Sequence, residues 1–333
     1  MKPTYFFEEG TFGMKRKMKS LIGLLLAGAL CLTACGSSEF TDEAVLKIDG
    51  QEIMKSEYMV YLYTTTKSFI SAAGEDVWNM DFDGQTADEL VEERTISTIQ
   101  SVIAAKEYAA ANGIALTEND KAAAKAAAQQ FITGVSEGDL AKMGMTAETL
   151  QPMMEDSYLY TLVHQSIAEE CGIDEEDMAE YHQKNKVQLQ KDYTMFELQT
   201  LLMDNERKAE EAAERAKNGE DFAALFAEYD VDPDAENGGK LTVYQNELQK
   251  SFGITEEMEP GDVAGPLQIG GGWFVLKTLE KTVPSEDEVK MLAESFYRTE
   301  VQVAYTENRF AELTKGQNVE KIEGVFKKLE KFH

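Results

Sequence analysis

The sequence has few basic residues and few cysteines for a chain of 333 residues. Its 32 lysines and arginines stand against 61 aspartates and glutamates, which gives a formal net charge of −29. This balance disfavours a nucleic-acid partner, because phosphate contacts need clustered Lys and Arg side chains. We interpret the acidity as a source of solubility. The three cysteines, Cys31, Cys35 and Cys171, provide no disulfide framework.

Metal-binding patterns are also lacking. The Asp-x-Asp-x-Asp spacing that begins at Asp230 suggests calcium. A calcium loop of the EF-hand type needs Gly at its sixth position and Glu at its twelfth. Those positions are Ala235 and Leu241 here. We therefore predict no metal site, and no motif indicates a cofactor.

The first 34 residues have the order of a bacterial signal peptide. A basic cluster at 15–19 precedes an apolar run at 21–30, which is too short to span a membrane. The next residues, Leu32-Thr33-Ala34-Cys35, resemble a lipobox. That resemblance implies that Cys35 receives a diacylglyceryl group and becomes the first mature residue. A plain secretory signal and an uncleaved anchor are the disfavoured alternatives.

The signal predicts an extracytoplasmic protein that is anchored to the cell membrane by its lipid. Two acyl chains are enough for stable anchoring. Residues 35–43 would form the tether between the lipid and the folded chain. The basic cluster begins just after Met14, so both Met1 and Met14 remain candidate start residues.

Residues 44–190 carry the signals of a helical domain. Apolar alternation around Asp49-Gly50 predicts a β-hairpin, and Ser56 is the predicted N-cap of the helix that follows it. Residues 134–144 are predicted to be a loop. Three further helices are each preceded by a predicted capping side chain: Thr86 (with Glu89 as a capping box), Thr117 and Asp174. A fourth helix is predicted over residues 146–170.

Residues 191–281 have the pattern of a small α+β domain. A strand, two helices, a loop and a final strand follow one another in this region. The predicted bounds are 193–203 for the first strand, 205–217 and 221–229 for the helices, and 273–279 for the last strand.

This central region resembles the parvulin-type peptidyl-prolyl isomerases. The run Gly219–Leu241 is similar to the family signature, from Gly-Glu-Asp-Phe through Asp-Pro to Gly-Gly-Lys-Leu. Pro260–Pro266 resembles the family's Pro-Gly turn, and Gly272–Lys277 resembles its last strand. The segment Val45–Tyr58 resembles the start of the chaperone domain of SurA-like and PrsA-like foldases. With the lipobox, the whole chain resembles a PrsA-like foldase lipoprotein.

The resemblance implies an α+β fold made of two parts. The first is a mostly helical chaperone domain, formed by residues 44–190 and the C-terminal helical segment 282–333 together. The second is a parvulin-like domain over 191–281 with an antiparallel sheet. The resemblance also permits a homodimer through the helical domain.

The resemblance places the family's acidic catalytic position on Asp232. Its substrate-binding positions fall on the apolar and aromatic residues Tyr244, Leu248, Phe252 and Phe274. Plain core packing is the alternative interpretation of Leu248 and Phe252.

The family's two central histidines fall on Thr200 and Phe274. The chain's own histidines are His164, His182 and His333, so no shift of register brings a histidine into residues 193–281.

Two functions in the folding of exported proteins therefore stay open. One is a membrane-anchored foldase with peptidyl-prolyl isomerase activity. The other is a chaperone that binds unfolded or partly folded exported polypeptides, with weak or no isomerase activity. A lipoprotein scaffold of the cell envelope is a third class, and it makes no use of the parvulin-like motifs.

Overall fold

The computed structural model of the protein describes residues 40–232 and 238–333. The predicted signal peptide, Cys35 and the residues 233–237 of the acidic loop lie outside the described residues. Residues 42–333 form one compact unit, and all the core clusters discussed below lie within it. Within the described part, no helix combines the length and apolarity needed to cross a membrane.

Helices dominate the chain, and short strands form small antiparallel sheets. The helices of the described residues are α1 (Lys55–Ala73), α2 (Ala87–Asn112), α3 (Glu118–Gly134), α4 (Glu137–Met143), α5 (Ala147–Glu169), α6 (Glu175–Asp192), α7 (Glu206–Lys217), α8 (Phe222–Tyr229), α9 (Gln245–Phe252), α10 (Glu286–Thr314) and α11 (Glu323–Phe326), with a 3₁₀ turn at Glu75–Asn79. The strands are β1 (Ala44–Ile48), β2 (Gln51–Met54), β3 (Asp81–Phe82), β4 (Gln85–Thr86), β5 (Met195–Met203), β6 (Lys240–Tyr244), β7 (Val263–Ile269), β8 (Gly272–Thr282) and β9 (Val319–Lys321). This is the α+β class expected from the sequence, which is thereby confirmed.

The predicted hairpin forms from β1 and β2. Its turn residues Asp49 and Gly50 have φ angles of 50° and 85°, a conformation that an Asp-Gly pair adopts readily. Strand β9 pairs with the other edge of β1 and gives the strand order β2-β1-β9. The end of the chain thus completes the sheet that its beginning starts.

Most predicted helix caps are present, but Ser56 is not one of them. Helix α1 begins at Lys55, behind Met54. Ser56 lies inside the first turn, where its backbone N–H and its hydroxyl both donate to the Asp42 carboxylate at 2.9 and 2.8 Å. A carboxylate from outside the helix therefore satisfies a donor of the first turn. The side chains that do cap as predicted are Thr86, Thr117 and Asp174. Thr146 also caps its helix, a cap that was not predicted from the sequence.

The prediction of a loop over residues 134–144 was wrong. Within this range α4 forms, with Ser136 as its N-cap. The Ser136 hydroxyl accepts from the Asp139 backbone N–H at 3.1 Å. Gly144 ends the helix with a φ of 64°. A helix this short gains most of its stability from packing, and the buried Met143 joins the main helical core.

The C-terminal segment packs on the helical domain through aromatic rings. Phe326 contacts Tyr58 edge-on at 5.3 Å between ring centroids, and Phe332, 4% exposed, contacts Tyr63 at 5.1 Å. Further along the same helical domain, Phe310 of α10 packs in a cluster with residues of α2 and α5.

The last residues are held by charge as well. The Asp88 carboxylate accepts hydrogen bonds from Lys331 at 2.5 Å and His333 at 2.9 Å, and the His333 ring is stacked on Trp78 at 3.8 Å. Burial acts to raise the pKa of Asp88, but the two hydrogen bonds reverse this and hold the pKa below its usual value. The carboxylate therefore stays charged and paired.

The smaller sheet has the antiparallel strand order β6-β5-β8-β7. One face is packed against α7 and α8 through Leu201, Met203 and Val275. The opposite face is packed against α9, with Phe196 and Leu276 in the same cluster as α9 residues. Strands β6 and β7 and helix α9 were not predicted from the sequence. They are held by pairing and packing with parts of the chain that are distant in sequence.

Candidate functional site

The candidate site lies on the face of the smaller sheet that packs against α9. The register of β5 and β8 pairs Thr200 with Leu276 and Leu202 with Phe274. Because side chains two residues apart on a strand share a face, Thr200 and Phe274 are diagonal neighbours on this face. The two positions that the family resemblance assigns to histidines are therefore brought close together.

Two phenyl rings form the apolar part of this face. Phe252 from α9 and Phe274 from β8 meet edge to face, with ring centroids 6.1 Å apart and planes at 78°. Both rings are half-buried, whereas Leu248 in the same cluster has no exposed surface. Leu248 therefore supports the rings from within the core, and the two phenyl rings are the part that a ligand could contact.

Tyr244 lies apart from these rings. It pairs with Met195 across the sheet, while its neighbours Leu241 and Val243 belong to the cluster of Phe252 and Phe274. Its ring packs against Tyr193 at 5.6 Å, and 41% of its surface is exposed. The alternation of strand β6 thus turns Tyr244 away from the other predicted substrate-binding residues.

Residues 230–232, which we call the acidic segment, follow α8 and run along β5, and Asp230 fixes the segment to this strand. The Asp230 carboxylate accepts from the Leu202 N–H at 2.9 Å, and the Val231 N–H donates to the Leu202 carbonyl at 2.9 Å. The backbone N–H of Asp232 donates to Asp230 at 3.3 Å. Since Leu202 is the strand partner of Phe274, Asp232 is placed at the same end of the sheet as that ring.

The glycine pair of the signature brings the chain back to β5. The Thr200 N–H and the Thr200 hydroxyl both donate to the Gly239 carbonyl, at 2.9 and 3.1 Å. The buried Gln199 side chain donates to the Gly238 carbonyl at 2.7 Å. The Thr200 hydroxyl proton is therefore used by the backbone.

The bracing roles of Gln199 and Asp230 were not predicted from the sequence. Gln199 is 7% exposed, and Asp230 is half-buried. A polar residue at a buried strand position, and an aspartate just past the end of a helix, are the signals that point to such bracing roles.

An ion cluster fixes α8 just before the acidic segment. The Arg215 guanidinium donates to Glu220 at 2.5 Å, to both carboxylate oxygens of Glu228 at 3.0 Å, and to the Tyr229 hydroxyl at 2.7 Å. These hydrogen bonds from Arg215 lower the pKa values of Glu220 and Glu228. The cluster is exposed, so its main effect is orientation of α8 rather than a large gain in stability.

This arrangement can hold an apolar ring, but it offers little for proton transfer. Phe252 and Phe274 provide a non-polar contact surface, and the Thr200 hydroxyl is engaged by Gly239. Over residues 40–232 and 238–333, no three His, Cys, Asp or Glu side chains are grouped so that they could hold a metal ion.

The chain is similar in sequence to known foldases, and part of it matches a known domain family. Residues 173–291 match the family described as the PPIC-type PPIASE domain. The chain is 22% identical over 320 residues to the foldase protein PrsA of Caldanaerobacter subterraneus subsp. tengcongensis, covering 93% of this chain and 97% of that protein. It is 25% identical over 287 residues to PrsA of Halalkalibacterium halodurans, covering 83% and 77%.

Among solved structures, the foldase protein PrsA from Streptococcus pneumoniae aligns with a TM-score of 0.46 and 18% identity, covering 71% of this chain and 92% of that one. The sequence relations support the expected similarity to PrsA-like foldases with a parvulin-type domain. The matched region also extends beyond the predicted bounds of 191–281 into α6 and α10.

Proposed function

We propose that this PrsA-like chain is an extracytoplasmic, lipid-anchored chaperone for exported polypeptides, whose parvulin-like domain binds peptide segments with little or no isomerase activity. The similarity to PrsA foldases along nearly the whole chain supports the setting. The expectation of little or no isomerase activity rests on one observation. Thr200 and Phe274 occupy the two positions where the family resemblance expects histidines, and they are diagonal neighbours on the candidate face.

The chemistry of isomerisation explains why this observation matters. Rotation about a peptide bond to proline crosses a barrier of about 18–20 kcal/mol, and a catalyst must bind the twisted amide better than the planar one. Polar groups that strengthen their hydrogen bonds in the twisted state can supply that preference. Phe274 has no such group, and the Thr200 hydroxyl donates to Gly239.

Binding of a peptide segment needs fewer specific polar groups than catalysis of its isomerisation. A proline ring or another apolar side chain needs only a surface of suitable shape and polarity, and Phe252 with Phe274 provides one. Retention of an acidic residue at Asp232 favours the alternative, an active isomerase. In that case Asp232 would have to act without either histidine.

The binding half of the proposal predicts a specific loss in a Phe252→Ala variant. Dilution of a chemically unfolded reporter protein into buffer produces light scattering, which the chain from residue 36 onward is expected to suppress. This fragment keeps the whole compact unit 42–333. The variant should need about five- to tenfold more protein for the same suppression, which corresponds to about 1–1.4 kcal/mol of binding energy.

Phe226→Ala is the matched control. Phe226 is also a half-buried phenyl ring of this domain, but it packs on the opposite face of the sheet. Circular dichroism would first establish a temperature at which both variants are folded. Equal weakening by both substitutions would contradict a role for the candidate face. No suppression by the unaltered chain would favour the envelope-scaffold function instead.

A further inference from the structure

A second apolar surface lies where the smaller domain meets α10. We name it the junction groove, and its open volume is ≈ 380 Å³. One wall comes from the end of α6 and the sheet, and the other comes from the linker and α10. Its apolar lining consists of Tyr193, Met195, Tyr244, Pro284, Met291 and Leu292.

Large apolar side chains are unusually open to solvent here. Tyr244 is 41% exposed and Met291 is 62% exposed, and Val283 of the adjoining linker is 51% exposed. Clustered exposed apolar side chains mark interaction sites on many soluble proteins. Methionine is flexible and polarisable, so it adapts to side chains of different shape. The groove is therefore suited to apolar groups without demanding one particular shape.

Next to these apolar residues the sheet carries two opposed carboxylates. Glu197 of β5 is directly opposite Glu280 of β8, one step along the same face from the pair Met195 and Thr282. Both glutamates are exposed. Like charges at directly opposed positions of a sheet are destabilising. Among the residues that the structure describes, no Lys, Arg or His forms an ion pair with either glutamate.

On the face of the sheet that carries the two glutamates, two lysines are the nearest cations in the register. Lys240 and Lys277 are both paired with Gln199 in the register. Along β5, Glu197 lies between Gln199 and Met195, two residues from each. They therefore lie beyond the glutamates from the groove. On the side of α10, Glu288 lines the groove and is held by the Ser285 N–H and hydroxyl, at 2.8 and 2.7 Å. The charge that borders the apolar lining is thus negative.

We propose that the junction groove is a second client site, which binds an extended segment of a non-native polypeptide that has an apolar or aromatic residue close to a Lys or Arg. The inference rests on the proposed chaperone function. The apolar lining receives the first side chain, and the pair Glu197 and Glu280 receives the basic one. A basic group between the two carboxylates would relieve their mutual repulsion.

The register also sets the spacing of the two side chains in the client. Met195 and Glu197 are two residues apart on one strand, which separates them by about 6.4–6.8 Å. An extended segment has the same repeat. The favoured client segment therefore has its basic residue two positions from its apolar residue, whereas neighbouring residues would point to opposite sides.

Labelled peptides and fluorescence anisotropy test this selectivity. The probes are short peptides with a central Phe and a Lys two positions on, the same peptide with Glu in place of Lys, and the same peptide with Ser in place of Phe. The chain from residue 36 should bind the Phe–Lys peptide about tenfold more tightly than either of the others. Added salt should reduce the preference for Lys over Glu.

Paired variants locate the site. Tyr244→Ser with Met291→Ser should weaken the Phe–Lys peptide about tenfold. Glu197→Gln with Glu280→Gln should remove the preference for Lys over Glu and leave binding of the Glu peptide equal or tighter. Val187→Ser and Glu93→Gln are matched controls, because both residues are exposed on other helices of the chain, Val187 to 76%.

The outcomes separate this inference from the proposed function. If Phe252→Ala abolishes binding while the groove variants do not, the client segment uses only the candidate face, and the junction groove is not a client site. Equal binding of the Lys and Glu peptides would also overturn the inference, while the chaperone proposal stands. Failure of all peptides to bind would contradict both.

Discussion

A Gly239→Ala variant is expected to lose about 2–5 kcal/mol of stability, because the position combines a left-handed backbone with a steric block. Gly239 has a φ of 73°. A Cβ built there would lie 2.4 Å from the Thr200 carbonyl oxygen and 2.7 Å from the Phe226 ring. A backbone carbonyl of a central strand cannot move aside without disturbing the sheet. The substitution should therefore displace the acidic segment from β5.

Gly238→Ala is a close control for this effect. Gly238 has a similar φ of 68°, but the nearest atom to its Cβ would be the Gln199 amide nitrogen at 3.5 Å. This variant should lose only the conformational part, about 1–2 kcal/mol. Urea denaturation followed by tryptophan fluorescence would give both values. Equal losses in the two variants would contradict the close approach of Gly239 to β5.

The second large effect is expected at Phe332, where Phe332→Ala should cost about 3–5 kcal/mol. The ring is 4% exposed and packs in the main helical core, with the Lys142 ammonium 5.3 Å from its centroid. Its contact with Tyr63 joins residues more than 260 positions apart in the chain. Removal of the ring leaves a cavity in this core and loosens the attachment of the C-terminal segment.

Lys328→Ala is the control for the same segment, because this side chain is exposed. Thermal denaturation should show a clear decrease in Tm for Phe332→Ala and almost none for Lys328→Ala. If both variants melt with the unaltered chain, the C-terminal segment does not contribute to the core as the packing of Phe332 indicates.

Local rules predicted much of the secondary structure. The helix that starts after Thr86 could be predicted because Thr86 and Glu89 satisfy each other's backbone donors within one turn. The same rule gave a wrong prediction for Ser56, because the carboxylate of Asp42, fourteen residues earlier, accepts from a backbone N–H of the first turn. Strands β6 and β7 escaped prediction because their partners β5 and β8 determine them, and their own sequences are short.

The candidate site was predictable in part for a similar reason. The motif positions of Thr200 and Phe274 follow from the order of residues along two strands, and the register places them together. The position of Tyr244 could not be read from a motif, since one step along β6 decides which face a side chain occupies. The opposition of Glu197 and Glu280 likewise depends on pairing between strands that are far apart in sequence.

We propose that the parvulin-like face binds peptides without accelerating isomerisation. Cis-to-trans conversion of a proline-containing tetrapeptide, measured with the chain from residue 36 onward, tests it directly. We expect conversion to stay on the uncatalysed scale of about tens to hundreds of seconds at any practical protein concentration. Acceleration like that of an ordinary parvulin, lost in Asp232→Ala while the variant stays folded, would contradict the claim and identify Asp232 as a catalytic residue.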